Sequence, residues 1–203
     1  MATLFVDKID PQSGTSLEIG SSGDTITIPS GVTQSGVGGA NTPAFEAYLG
    51  TDGGQTISEN TVVTAQMNTE VFDVGGCYNN TGSAVTLNGI SVPAYSFLPN
   101  VAGKYSVHAG ILLDDATNSN IDSIDIFLYN ESGSIISQTN NRFDSNPIRT
   151  ASLQIQSTLV MNGTSNSVQV RARANMADDT NPLLEAYQQW RRATFFGAYK
   201  IIE

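Results

Sequence analysis

The sequence predicts an all-β protein built as an antiparallel sandwich. Short runs in which apolar and polar residues alternate recur between turn residues from about position 43 to the end, and no strand–helix–strand rhythm separates them. Composition points the same way. Charged residues make up 14% of the chain, against roughly a quarter in an ordinary globular protein, so Ser, Thr, Asn and Gln must supply much of the surface. A chain of 203 residues is long enough to bury a full core in one domain, with or without an appendage.

The first alternations are Leu17 and Ile19, then Ile26 and Ile28, separated by Gly20, Ser21, Ser22 and Gly23, which predicts a small β-hairpin. A lone hairpin with so few apolar side chains is marginal in water and needs partners. Residues 30–42, SGVTQSGVGGANT, lack periodicity and read as a flexible connection. The expected organisation is therefore an N-terminal segment over 1–33, a Gly/Ser-rich linker over 34–43 and a main domain over 44–203.

Within the main domain, Tyr105, Val107, Ala109, Ile111 and Leu113 share one face of a strand, and Ile124, Ile126 and Leu128 share one face of another. The turn Asn130–Gly133 follows, then Ile135 and Ile136. Leu153 and Ile155 mark a further strand. Val168, Val170, Ala172 and Ala174 alternate with Gln169, Arg171 and Arg173, which should face water or a neighbouring subunit. Asn181 and Pro182 precede Leu183, Leu184, Tyr187 and Trp190 at approximately helical spacing, so the one helical candidate is here, at most a short helix in a loop.

Charge and cysteine content exclude several functions. Nine basic against 19 acidic residues give a net charge of −10, which opposes nucleic acid and anionic membranes. Nowhere do about twenty apolar residues follow one another, so membrane insertion is not expected. The opening MATLFVDKID lacks the basic start and apolar run of a signal peptide, and the expectation is a chain without a secretion signal. The sequons at Asn79, Asn130 and Asn162 then carry little meaning. Cys77 is the single cysteine, which rules out an intrachain disulfide and a thiolate metal cluster within one chain.

Four segments in order carry a family resemblance. PAFEAYLG, with Phe45, Ala47 and Tyr48, is followed by TEVFD, Thr69 to Asp73, and its Gly/Asn-rich turn. FLPNVAGKYSV contains Phe97, Pro99, Val101, Gly103 and Tyr105, and FFGAYKII contains Phe196, Gly197, Ala198 and Tyr199. Together they resemble the globular head of complement component one-q, a jelly-roll family related to tumour necrosis factor. The segments between Asp114 and Met176 depart from the family residue by residue, and no Gly-x-y stalk precedes Pro43. The resemblance implies a jelly roll that assembles as a homotrimer, with Phe45, Tyr48, Phe97, Tyr105, Phe196 and Tyr199 packed in the sandwich or along the trimer axis. The segment LEIGSSGDTITIPSGVT resembles short elements that precede receptor-binding or decorating domains in fibres of phages, many of them marine.

No catalytic constellation is expected. His108 is the single histidine, and one imidazole without a cysteine cluster builds neither a triad nor a zinc site. Asp114, Asp115, Asp178 and Asp179 are the candidates for calcium, which takes oxygen ligands, but neither pair has the spacing of a calcium loop, and no cofactor is expected. Tyr187, Trp190, Arg191 and Arg192 precede the closing strand and are the candidates for receptor binding, because Trp, Tyr and Arg dominate hot spots and the aromatic rings stack on sugars. The expected function is that of a virion fibre or spike subunit, docked to other virion proteins through residues 1–33, whose trimeric head binds a host surface glycan or protein. The alternatives are a capsid-decorating head fibre with mainly structural duty and a soluble binding module of cellular origin.

Overall fold

The structure, a computed structural model, describes residues 9, 11–25, 27, 41–115, 118–143, 145–186 and 192–201. The chain divides into two compact units, Met1–Gly38 and Gly39–Glu203. In the first, the described residues hold a tight turn: the Asp24 N–H donates to the Ser21 carbonyl (3.0 Å) and the Ser21 N–H donates to an Asp24 carboxylate oxygen (2.7 Å). This is where the hairpin turn is expected, but no strand occurs among the described residues of the unit, and Leu17 and Ile19 are exposed. Ile26 and Ile28 lie outside the described residues.

The second unit is all β among its described residues. Its strands are β1 (Ala44–Tyr48), β2 (Gln55–Thr56), β3 (Val63–Thr64), β4 (Thr69–Val74), β5 (Val85–Leu87), β6 (Ile90–Val92) and β7 (Ser96–Phe97). They continue with β8 (Gly103–Asp114), β9 (Ile121–Asn130), β10 (Ile135–Arg142), β11 (Thr150–Met161), β12 (Val168–Met176), β13 (Leu183–Leu184) and β14 (Phe195–Lys200). The first sheet runs β2-β13-β8-β14-β1-β4, with β11 on the other edge of β8; the second runs β10-β9-β12-β3, with β7 also pairing β12. β5 and β6 form a separate hairpin whose turn, Asn88–Gly89, has positive φ at both residues (50° and 77°). That is the backbone a two-residue hairpin turn of this twist requires. The Asn88 amide donates to the Gly75 and Gly76 carbonyls, 2.8 Å each, and so ties the hairpin to the turn after β4.

Period-two patterning sets the strands' buried faces. In β12, Val168, Val170, Ala172, Ala174 and Met176 are buried while Gln169, Arg171, Arg173 and Asn175 are half-buried. β8 pairs with β11 over its full length, from Gly103↔Met161 to Asp114↔Thr150, which turns Leu153 and Ile155 to the same side as Ile111 and Ala109. At the centre of the core the Phe45 ring stacks on Tyr78 (centroids 4.4 Å) and Phe97 (5.0 Å) and meets Phe196 edge-on (4.9 Å); Tyr105 closes on Phe97 at 5.5 Å. The Tyr105 hydroxyl is satisfied by the Val101 carbonyl at 2.7 Å, and burial pushes its pKa up to about 12.

One expectation is corrected. Leu183–Leu184, the start of the helical candidate, form strand β13 between Gln55–Thr56 and Leu113–Asp114. Backbone hydrogen bonding explains it. β14 pairs with β8 only as far as Gly110, so the polar groups of β8 beyond that point need partners; β13 supplies them, and the Glu185 N–H donates to the Leu112 carbonyl at 2.8 Å. A short helix offers no such compensation and has a costly nucleus. Tyr187 and Trp190 lie outside the described residues.

Candidate functional site

Strand register carries rows of side chains across the first sheet on the face turned away from the core. One row runs Phe72, Glu46, Gly197, His108, Gln156; the next runs Val74, Ala44, Tyr199, Ser106, Thr158; a third runs Thr69, Tyr48, Phe195, Gly110, Gln154. Glu46 is the one acidic residue in these rows, and Arg192 neutralises it at 3.0 Å while lying 5.5 Å from the centre of the Tyr48 ring. Phe72, Val74 and Tyr199 are 43%, 48% and 41% exposed. The two glycines in the rows receive rings from neighbouring strands. A Cβ at Gly110 would stand 2.5 Å from the Phe195 ring, and one at Gly197 would stand 2.6 Å from His108 Nε2. A groove of about 450 Å³ lies between His108, Gln154, Gln156, Phe195 and Tyr199. Burial pushes the His108 imidazole below its ordinary pKa, and the Glu46 carboxylate opposes that shift.

The outward face of the second sheet is polar and tightly bonded. Asp125 is 1% exposed although it points away from the core: Arg173 Nε and Nη2 both reach one carboxylate oxygen at 3.0 Å, and the Gln138 amide donates to the other at 2.9 Å. Two aromatic rings share this face, Phe127 and Tyr129, edge to face at 5.8 Å. The Arg171 guanidinium lies over the Tyr129 ring, 4.2 Å from its centre, and Arg171 Nε donates to Gln169 Oε1 at 2.7 Å. Gln169 is itself fixed, its amide donating to the Ala94 carbonyl (2.7 Å) and its oxygen accepting from the Thr64 hydroxyl (3.1 Å).

Phe45, Phe97, Tyr105 and Phe196 stand inside the sandwich. Tyr48 and Tyr199 stand on the outward face of the first sheet, and Arg192 is bound to Glu46 beside them. Tyr187, Trp190 and Arg191 lie outside the described residues. Arg171 and Arg173 are on the other sheet from Arg192, so these three cations do not gather on one face. Asp114 accepts from the Thr150 hydroxyl (2.7 Å) and pairs with Arg149 (3.6 Å), while Asp178 accepts from the Asn120 amide and the Thr180 hydroxyl (2.6 Å each). Among the described residues one oxygen of Asp115 is buried without a hydrogen-bond partner, and Asp179 sits in the left-handed region at φ 56°. Among the described residues these carboxylates form no group of three that could hold a metal.

Sequence reasoning missed the role of Asp73. Its carboxylate accepts the Cys77 N–H (2.9 Å), the Tyr78 N–H (3.1 Å) and the Cys77 thiol (3.1 Å). Burial, reinforced by the Asp73 charge, drives the thiol pKa far up, so Cys77 is a protonated packing residue rather than a nucleophile. The outward aromatic rows were also missed, because they emerge only when five strands are brought into register.

No protein-family model matches the sequence, and no curated protein matches it. Similarity appears at the level of structure. The Eiger tumour necrosis factor of S. frugiperda superposes with a TM-score of 0.51 at 15% identity, covering 78% of this chain and 91% of that one. Murine APRIL gives 0.48 at 14% identity over 78% and 99%, and the globular domain of zebrafish complement 1qA gives 0.47 at 12% identity over 78% and 97%. With two antiparallel sheets packed around one aromatic core, the chain has the jelly-roll fold of the tumour-necrosis-factor-like proteins.

Proposed function

We propose that this chain is one subunit of a non-enzymatic homotrimeric binding module, and that it serves as a virion fibre or spike subunit of a bacteriophage. The observation that carries self-association is the outward face of the first sheet. Exposed Phe72, Val74 and Tyr199, with Phe195 and Tyr48 beside them, form an aromatic surface whose one acid is already neutralised by Arg192. Soluble monomers rarely leave a contiguous apolar patch of this kind in water, and a closed symmetric assembly removes it. The number three comes from the resemblance to complement one-q and tumour necrosis factor heads. Light scattering should give about three times the 21.5 kDa chain mass. Phe195→Asp should shift the protein to monomer, and a wild-type monomer overturns the proposal.

The virion assignment rests on the N-terminal resemblance to phage fibre elements. In it, residues 1–33 dock to other virion proteins and the head binds a host glycan or protein through Tyr187, Trp190 and Arg191, while Arg192 is committed to Glu46 on the assembly face. Adsorption by trimers carrying Trp190→Ala or Arg191→Gln tests the binding residues. Locating the chain on virions tests the setting: the tail supports attachment, the capsid supports a decorating fibre, and absence from virions supports a cellular binding module.

A further inference from the structure

We infer that Arg171, on the outward face of the second sheet, is a preformed seat for the carboxylate of an acidic saccharide. Arg171 differs from the other described arginines. Arg149, Arg173 and Arg192 each stand within 4 Å of a carboxylate, and Arg142 is exposed at the end of β10. Arg171 has no carboxylate in reach among the described residues; its Nε is committed to Gln169, while Nη1 and Nη2 make no hydrogen bond among them. The guanidinium is nonetheless held, with the Tyr129 ring beneath it and Gln169 fixed by Ala94 and Thr64. Ordering a long side chain is a large part of the cost of binding through it, and here folding has already met that cost.

The chemistry of the free end selects the ligand. Two parallel N–H donors on a planar cation match the two oxygens of a carboxylate. One uncompensated positive charge balances one negative charge, and in a chain of net charge −10 a dianion such as a phosphate monoester brings a surplus that the surrounding field opposes. Directly across from Arg171 stand Thr64 and the buried Phe127 ring, and the Gln169 and Gln138 amides and the Tyr129 phenol lie around them, so polar hydrogen-bonding groups beside aromatic rings offer a sugar both its hydroxyl partners and an apolar face. The seat lies on the opposite sheet from the aromatic face, so it stands whether or not the chain is a trimer.

The full-length chain is titrated, by heteronuclear NMR, with 3′-sialyllactose and with a glucuronic-acid-terminated disaccharide, each against its carboxyl methyl ester. Saturable shifts on β3, β9 and β12 are expected for at least one acid, about tenfold weaker for its ester, as loss of a charge-assisted bidentate contact implies. Arg171→Gln and Arg171→Lys should each lose the preference for the acid, while Arg142→Gln should behave as wild type. Should Arg171→Gln melt early, Gln169→Glu provides the same loss by giving Arg171 an internal partner. Binding of neither acid, equal binding of the ester, preference retained in folded Arg171→Gln, or tighter binding of a glutamate peptide of equal charge overturns the inference.

Discussion

Phe196 is fully enclosed, with Phe45 edge-on at 4.9 Å and Tyr78 at 5.8 Å, so its removal leaves a cavity that neighbouring strands cannot collapse to fill. Phe196→Ala should cost about 3–5 kcal/mol in chemical denaturation. His108 gives a pH signature. Its pKa in the fold is held below the ordinary 6.5 by burial, so the unfolded chain takes up a proton first as pH falls. Stability is full above 6.5 and is lost as pH drops from there to the folded value. The melting temperature should therefore fall further between about pH 7.5 and about pH 5.5 in wild type than in His108→Gln. Glu70 and Glu185, both raised first by burial and then by a neighbouring aspartate, act with the opposite sign, and the paired comparison cancels them. The three sequon asparagines have local structural roles. Asn79 donates to three carbonyls, Asn130 Oδ1 accepts from Ser132 and Ser134, and Asn162 Oδ1 accepts three consecutive N–H groups. The Ser or Thr two positions on completes such loops, which accounts for the pattern without a sugar.

Among the elements, turns divide into those that need only a left-handed backbone and those that also need space. At Gly89 (φ 77°) a Cβ would have nothing within 4 Å, whereas at Gly163 (φ 75°) it would stand 2.6 Å from the Ala102 nitrogen and 2.7 Å from the Val101 carbonyl carbon. Gly89→Ala should cost about 1–2 kcal/mol for its backbone alone. Gly163→Ala should cost more, by at least about 1 kcal/mol, because backbone cannot yield as a side chain does; urea midpoints of the two variants check the order. The same contrast explains which strands were legible. β8, β9, β11 and β12 are long enough for alternation to declare itself, but β13 is two residues long and owes its form to the open edge of β8. Local spacing at Leu183, Leu184 and Tyr187 reads as helix because nothing in that stretch records the partner strands.

For the whole molecule, the division after Gly38 predicts that a chain beginning at Asn41 retains its β circular dichroism and cooperative melting, since the aromatic core lies wholly in the second unit. Loss of the fold would show that the core depends on the N-terminal segment. If the first-sheet face is the assembly surface, the shortened chain also keeps the trimeric mass, and Phe195→Asp abolishes it in both lengths.

The all-β class and the inward sides of the long strands were legible in the order of residues, because alternation is a property of consecutive positions and needs no knowledge of neighbours. Tyr105 was legible in the same way, on its alternating strand, whereas Phe45, Phe97 and Phe196 were expected inside only because the family resemblance implies it. Which charges meet was not. Arg192 finds Glu46 across 146 positions and Arg173 finds Asp125 across 48, while Arg171, two residues from Arg173, is left with a tyrosine ring and an amide. Those partnerships depend on strand register, and register is set by the packing of the whole sandwich rather than by the pattern within any one strand.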